Sequence, residues 1–292
     1  MEAQTMDANA DALLRKLRDD HQSGAAQLAL SALDGLAQWL DTGPVRAADW
    51  QRMVSALARA RPSMVPLGNA MQRCREGLAG PADAADIRPS ARAVVASVRA
   101  DLVEAGERVA QHAASQVPEG ARVLTHSRSS QVLALFRLLV RRGQRCSVIC
   151  TQGSPGNEGF VLARELDALG LEVTVVTDAQ MGLAMADADL VLSGCDTWLA
   201  DRHFVNKAGT YLLALAAQDQ GKPLWVLADH FKDSPATRDT VTLETMAGAE
   251  LGAPTGTHIR PRNVYFETIP TRLITGRISE RGVFSCPAEA RR

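Results

Sequence analysis

The sequence predicts an α/β protein, with a helical domain over residues 1–117 followed by a parallel-sheet domain over residues 118–292. Three observations carry that prediction. Apolar residues recur at helical spacing before residue 118, and no β pattern interrupts them. A turn signal, Val117-Pro118-Glu119-Gly120, then closes the helical part. Beyond it, short aliphatic runs alternate with helix-like segments, the pattern of right-handed crossovers and a sheet covered on both faces.

In the first part, Leu13, Leu14, Leu17 and then Leu33, Leu36, Trp39 and Leu40 mark one helical segment, which Gly43-Pro44 stops. Trp50, Met53 and Leu57 mark a second helix. Arg61-Pro62 ends it, because a residue before proline disfavours the helical region. A third short helix follows Pro66. Ile87, Ala91, Val94, Val98 and Leu102 form the stripe of a fourth, with charged residues on its other face. In the second part the expected strands are 122–125, 147–150, 173–176, 190–193 and 224–228. Each is brief and β-branched or aliphatic, as buried parallel strands are. The expected helices between them are 129–142, 158–169, 179–187 and 207–219.

Charge excludes some function classes. The chain of 292 residues has 32 Lys+Arg against 33 Asp+Glu, a net charge of −1. A nucleic-acid or membrane partner usually needs a basic excess, so neither is expected. No apolar run approaches the roughly 20 residues that span a bilayer. The start, MEAQTMDANADALL, is acidic and lacks a signal-peptide core. A cytoplasmic protein is therefore expected. Five cysteines, Cys74, Cys146, Cys150, Cys195 and Cys286, contain no C-x-x-C pair, so neither a disulfide framework nor a zinc site is suggested. No cofactor or metal is called for. With aromatics at 4 %, the core must be aliphatic.

Ligands of such sheets sit beyond the carboxyl ends of the strands. The first strand runs into Thr125-His126-Ser127-Arg128-Ser129-Ser130 and then a helix. A Ser-rich turn at a helix N-terminus suits an anion, because free N–H groups and the helix dipole favour phosphate. Simple N-capping by Ser129 or Ser130 suits it equally. The second strand runs into a glycine-rich loop, Gln152 to Gly159, that matches no phosphate-loop pattern. Thr177-Asp178 is expected to cap the next helix. Asp196, just past the fourth strand, is a candidate general acid or base. Asn206-Lys207-Ala208-Gly209-Thr210 is expected to open a helix. A lysine there opposes the dipole unless an anion is bound, which makes Asn206 and Lys207 candidate phosphate contacts. Asp229-His230-Phe231-Lys232 brings further polar groups, Lys232 among them, to the same rim.

Several of these motifs together resemble one family. Thr125-His126, Gly194-Cys195-Asp196, Asn206-Lys207-x-Gly209-Thr210 and Phe266 to Thr275 (FETIPTRLIT) occur in the order and spacing of the α, β and δ subunits of translation initiation factor 2B. That family also holds methylthioribose-1-phosphate isomerase and ribose-1,5-bisphosphate isomerase. Arg61-Pro62-Ser63 with Gly68-Asn69-Ala70 extends the resemblance into the helical part. The resemblance implies a Rossmann-like second domain, a homodimer or larger homo-oligomer, and a phosphorylated sugar or nucleotide as ligand. In the enzyme branches it implies an aldose-1-phosphate to ketose-1-phosphate isomerisation. There, a cysteine after the Thr-His pair and the aspartate of Gly-x-Asp move the protons, and the Asn-Lys pair holds phosphate. Asp196, Asn206 and Lys207 match those positions. Arg61 is a further phosphate contact on the same basis, and Arg128, Ser129, Ser130 and Lys232 complete the candidate set.

The sequence also departs from the enzymes. Ser127 stands where they have cysteine, and an unactivated hydroxyl titrates far above a thiol's value of about 8.5. Gln152-Gly153-Ser154-Pro155 replaces their Glu-Thr-Arg-Pro. Asp229-His230-Phe231-Lys232 is similar to the Glu-Ser-Phe-Lys of the initiation-factor subunits. Cys150 or Cys195 near the rim is a conceivable substitute for the missing thiol. Two functions follow: an isomerase with Asp196 and Ser127 as its catalytic pair, or a non-catalytic sensor of a phosphorylated sugar or nucleotide.

Overall fold

A computed structural model describes residues 8–20, 23–78 and 86–286. The stretch Met1–Asp7, read above for the absence of a signal-peptide core, lies outside them. The chain divides into two compact units, Met1–Glu104 and Ala105–Arg292.

The first unit is helical: α1 Ala8–Asp19, α2 Ala25–Trp39, α3 Ala47–Ala58, α4 Val65–Gly77 and the first turns of α5 Arg88–Ala114. The stretch expected to be one helix up to Gly43-Pro44 is two, because the chain leaves helical geometry around Gly24, the N-cap of α2. α4 starts one residue before Pro66 rather than after it. Proline is tolerated in a first turn, where its missing N–H has no partner to lose. Leu28, Leu33, Leu36, Trp50, Met53 and Leu57 are fully buried and form the aliphatic core that the stripes announce.

The second unit begins in α5 and continues as β1 Ala121–Thr125, α6 Ser130–Arg141, β2 Cys146–Thr151, α7 Glu158–Asp167 and β3 Glu172–Val176. A 3-10 turn at Asp178–Gln180 leads into α8 Met181–Met185. Then come β4 Leu190–Ser193, β5 Thr197–Trp198, β6 His203–Lys207, α9 Thr210–Asp219 and β7 Leu224–Leu227. A 3-10 turn at His230–Lys232 follows, then β8 Thr245–Met246, β9 Asn263–Val264, β10 Phe266–Pro270, β11 Gly276–Ser279 and β12 Gly282–Ser285. All five expected strands are present.

The large sheet has the order β12-β11-β7-β4-β1-β2-β3. Its neighbours pair in parallel except the β11–β12 hairpin at the edge. Side chains alternate between two cores, as a period of two requires. Val123, Trp225 and Leu227 face one core with Phe136 of α6 and Leu162 of α7. Leu124, Val191 and Val226 face the other with Met185 of α8 and Leu213 of α9. Chain order runs outward from β1 in both directions, toward β3 through β2 and toward β7 through β4. The crevice beyond β1 and β4 is therefore the topological switch point, where such sheets bind ligands.

One expectation fails here. Residues 206–207 do not open a helix. They end β6, which pairs antiparallel with β10 and β5 in a separate three-stranded sheet. α9 starts at Thr210.

Close packing at the end of β2 fixes where α7 begins. A Cβ at Gly159 would fall on the carbonyl oxygen of Thr151, so only glycine lets the helix start this near the strand. Gly159→Ala is expected to destabilise the protein by about 1–3 kcal/mol through overpacking. The urea midpoint should fall with an unchanged m-value; an unaltered midpoint contradicts this packing.

Candidate active site at the strand-end rim

β1 delivers Thr125 and His126 to the rim. His126 is buried, with Nδ1 at 2.6 Å from the Thr151 hydroxyl and Nε2 at 2.8 Å from the Ala208 carbonyl. Because a carbonyl only accepts, Nε2 carries the hydrogen and Nδ1 accepts from Thr151. Burial pushes the His126 pKa down, opposed in part by its hydrogen bond to the Ala208 carbonyl and by Asp178 nearby. Ser127 follows in a left-handed conformation, φ 61°, which non-glycine residues adopt at a cost. Its partly exposed side chain stands at the switch point.

The serine-rich turn is a cap. Ser129 is the N-cap of α6, its hydroxyl accepting from the Val132 amide at 3.4 Å. Ser130 is exposed and is the first helical residue. Arg128 forms a bidentate pair with Glu165 of α7, at 2.7 and 2.8 Å, so its guanidinium is engaged inside the unit. A glycine is required at 194, because a Cβ there would come within 2.5 Å of the Ser129 hydroxyl. That close approach packs the end of β4 against the β1–α6 turn.

Asp196 lies between β4 and β5, its amide donating to the Val205 carbonyl at 2.9 Å. Burial raises its carboxyl pKa to about 6. The positive charges of Lys232 and Lys207 pull the other way, and the negative charge of Glu158 adds to the rise. A carboxyl poised near neutrality can both give and take a proton, as acid–base chemistry requires.

Two buried lysines flank it. Lys207 is ion-paired with Glu158 of α7, and its ammonium lies 3.6 Å from the centre of the Tyr265 ring. Lys232 donates to Gln131 Oε1 at 3.0 Å, and Gln131 Nε2 donates to Asp229 Oδ2 at 2.5 Å. Burial also raises the Asp229 carboxyl, against the charge of Lys232. Lys207 does not stand at a free helix N-terminus, for two reasons. The residue sits in a strand, and the N-terminal amides of α9 are already taken by Glu267, which accepts from Gly209 at 2.7 Å and Tyr211 at 2.8 Å. Asn206 donates to the hydroxyls of Ser193 at 3.1 Å and Thr210 at 2.9 Å, which ties β4 and β6 to the start of α9.

Thr177 caps the next turn, with Gln180 completing a capping box. Asp178 does something else: its carboxylate accepts from the amides of Gly153 at 2.9 Å and Ser154 at 2.7 Å, holding the glycine-rich loop to the rim. The substitute thiols fail. Burial pushes both Cys150 and Cys195 up to about 12, so neither is a thiolate near neutrality. Arg61 belongs to the helical unit, where it donates to the Asp20 carbonyl at 2.5 Å. Among the described residues no cluster of His, Cys, Asp and Glu is arranged to hold a metal ion, and no helix is long and apolar enough to cross a membrane.

Two hollows of about 420 and 460 Å³ lie elsewhere on the second unit. The first is lined by Trp198, Arg277 and Phe284 among others, the second by Arg202, Arg238 and Arg272; neither includes Asp196 or Lys207. The chemistry, rather than the size of a hollow, marks the rim. Glu158, Tyr265 and Gln131 are the rim residues that sequence reasoning missed. Their contacts span 49, 58 and 101 positions, and no local pattern announces them.

The profile of the initiation factor 2 subunit family matches residues 21–286. The chain belongs to that family. A relative described as a translation initiation factor eIF-2B subunit 2-like protein, from Pyrococcus horikoshii, is 32 % identical over 95 % of this chain and 96 % of its own. The chain is likewise similar to a methylthioribose-1-phosphate isomerase of Anaeromyxobacter, 32 % identical over 97 % of this chain and 87 % of its own. A ribose 1,5-bisphosphate isomerase of Haloferax volcanii is 29 % identical over 89 % and 84 %. The crystal structure of the Pyrococcus horikoshii translation initiation factor eIF-2B superposes with a TM-score of 0.83 at 29 % identity, covering 97 % of this chain and 99 % of that one. The family resemblance and the two-part fold expected from sequence both hold.

The raised Asp196 pKa makes a stability prediction. Below the ordinary aspartate value of about 3.9 the carboxyl is neutral folded or unfolded, and the burial cost is absent. As pH rises through about 6, the folded protein must carry a buried charge and loses stability. Asp196→Asn removes that cost, worth up to about 3 kcal/mol. The variant should melt several degrees above the wild type at pH 7.5, with the gap shrinking toward pH 4.5. A gap that does not depend on pH contradicts the assignment.

Proposed function

We propose that this chain binds a phosphorylated sugar at the strand-end rim and that Asp196 is the acid/base group of an aldose-1-phosphate to ketose-1-phosphate isomerisation. The observation that carries the reading is Asp196 itself, a carboxyl raised to about 6 between two buried lysines. The isomerisation relocates a proton between neighbouring carbons of the sugar, and a group that is part protonated near pH 6–7 serves both halves of that transfer. Lys207 and Lys232 supply the positive charge that a phosphate needs, and cations in a poorly hydrated site attract it more strongly than exposed ones do. The named activities of the two isomerase relatives support the same substrate class. Ser127, partly exposed just after β1, is the second group proposed to meet the ligand. Its hydroxyl is suited to hydrogen-bonding a sugar oxygen rather than to carrying a proton.

A second reading has its own observation. With Ser127 at the cysteine position and both nearby thiols held near 12, one half of the enzymes' proton-transfer pair is missing. That favours a sensor, in which ligand binding sets the state of a homo-oligomer without turnover.

The two readings separate in one experiment. Purified protein is incubated with methylthioribose-1-phosphate or ribose-1,5-bisphosphate, and ketose is followed by carbon NMR alongside the melting temperature. The isomerase predicts ketose formation, reduced about 10²- to 10⁴-fold in Asp196→Asn. The sensor predicts thermal stabilisation without turnover, abolished in Lys207→Ala. No turnover and no stabilisation by either sugar contradicts both.

A further inference from the structure

Lys207 meets a carboxylate before it meets any ligand. Its ammonium is 4 % exposed as a residue, paired with Glu158 Oε1 and seated over the Tyr265 ring. An anion approaching that ammonium must therefore deal with Glu158. The carboxylates elsewhere around the rim are built into the scaffold. Glu165 uses both oxygens on Arg128, Asp178 takes two backbone amides with its two oxygens, and Glu267 takes two amides at the start of α9. Glu158 is different. One oxygen is on Lys207, and the other, Oε2, is buried with no hydrogen-bond partner among the described residues. A buried carboxylate oxygen without donors is held at a cost, so this contact is a poor resting place for the side chain.

The charges point the same way. Glu158 and Asp196 act on each other as like charges, and a bound phosphate would add more negative charge beside both. The three cannot share Lys207 cheaply. The backbone around Glu158 is meanwhile fixed. Gly153 and Ser154 are tied to Asp178, and the Gly159 amide donates to the Gln152 carbonyl at 3.0 Å. Release of Lys207 is thus a swing of the Glu158 side chain, with the start of α7 staying in place.

We propose that Glu158 is a built-in competitor for the ligand: in the ligand-free protein its carboxylate occupies the ammonium of Lys207, and the phosphate of an incoming sugar must displace it. The proposal rests on the reading of Lys207 as the phosphate anchor. It makes Glu158 a regulator of affinity whose removal strengthens binding, the opposite of a residue that contacts the ligand.

The test is calorimetric titration of the full chain with inorganic phosphate and with methylthioribose-1-phosphate, using wild type, Glu158→Gln and Glu158→Ala. Circular dichroism melts establish that each variant is folded, and the two variants differ enough in size that one packing defect does not decide the result. Both are expected to bind each probe about tenfold tighter than wild type, because the binding-competent state no longer has to be freed from its own carboxylate. Equal or weaker binding by the variants, with wild type binding normally, overturns the competitor while leaving the phosphate anchor standing. No binding by any of the three overturns the anchor and the competitor together.

Discussion

The carboxyl of Asp196 is half-buried and largely desolvated where the sheet's strand order reverses, and the surrounding charges act on it there. Its pKa near 6 reflects two opposed effects. Burial penalises the ionised form, while Lys232 and Lys207 favour it. The lysines hold the carboxyl lower than burial alone would, and burial holds it higher than an exposed aspartate. Positioning that balance takes both sheets. β4 brings Asp196 to the rim, and β6, in the separate three-stranded sheet, brings Lys207. The Asn206 amide, donating to Ser193 and Thr210, ties the two together.

Which groups remain for a ligand follows from which are already used. Arg128 is bound by Glu165. Arg277 is spent on the carbonyls of Ala228 and Asp229, on Asp233 and on the face of Trp198. The amides at the start of α9 are capped by Glu267, and those of the glycine-rich loop by Asp178. Carboxylates thus occupy the amides at the start of α9 and in the glycine-rich loop, and the buried cations beside Asp196 are lysines. Lysine is a compact, strongly hydrated point charge on a flexible stem. Its exchange from a carboxylate to a phosphate needs only side-chain motion, and a bidentate arginine pair would resist it.

Much of this was legible in the sequence. Four of the five expected strands are buried aliphatic runs of the kind a sheet covered on both faces uses; the fifth, β3, is an exposed edge strand, and the family motifs pointed to Asp196 and Lys207. The failures have a common physical cause. Asn206-Lys207 reads locally as the opening of a helix, and what makes it the end of a strand is pairing with Phe266 and Glu267, some sixty positions later. Ser129 and Ser130 looked equally suited to phosphate and to capping, and Arg128 was read as a phosphate contact. Only the Glu165 side chain and the Val132 amide decide between those uses, and neither is visible in a window of the sequence. Glu158 was passed over because its importance lies in a partner 49 positions away.

The most direct test of the account is the ionisation of Asp196 itself, followed through the chemical shift of its carboxyl carbon by NMR in protein labelled at aspartate, with Asp196→Asn assigning the resonance. The account predicts a midpoint near pH 6, moved by methylthioribose-1-phosphate as a phosphate changes the charge beside it. A midpoint in the ordinary aspartate range near 4, indifferent to that ligand, would contradict it.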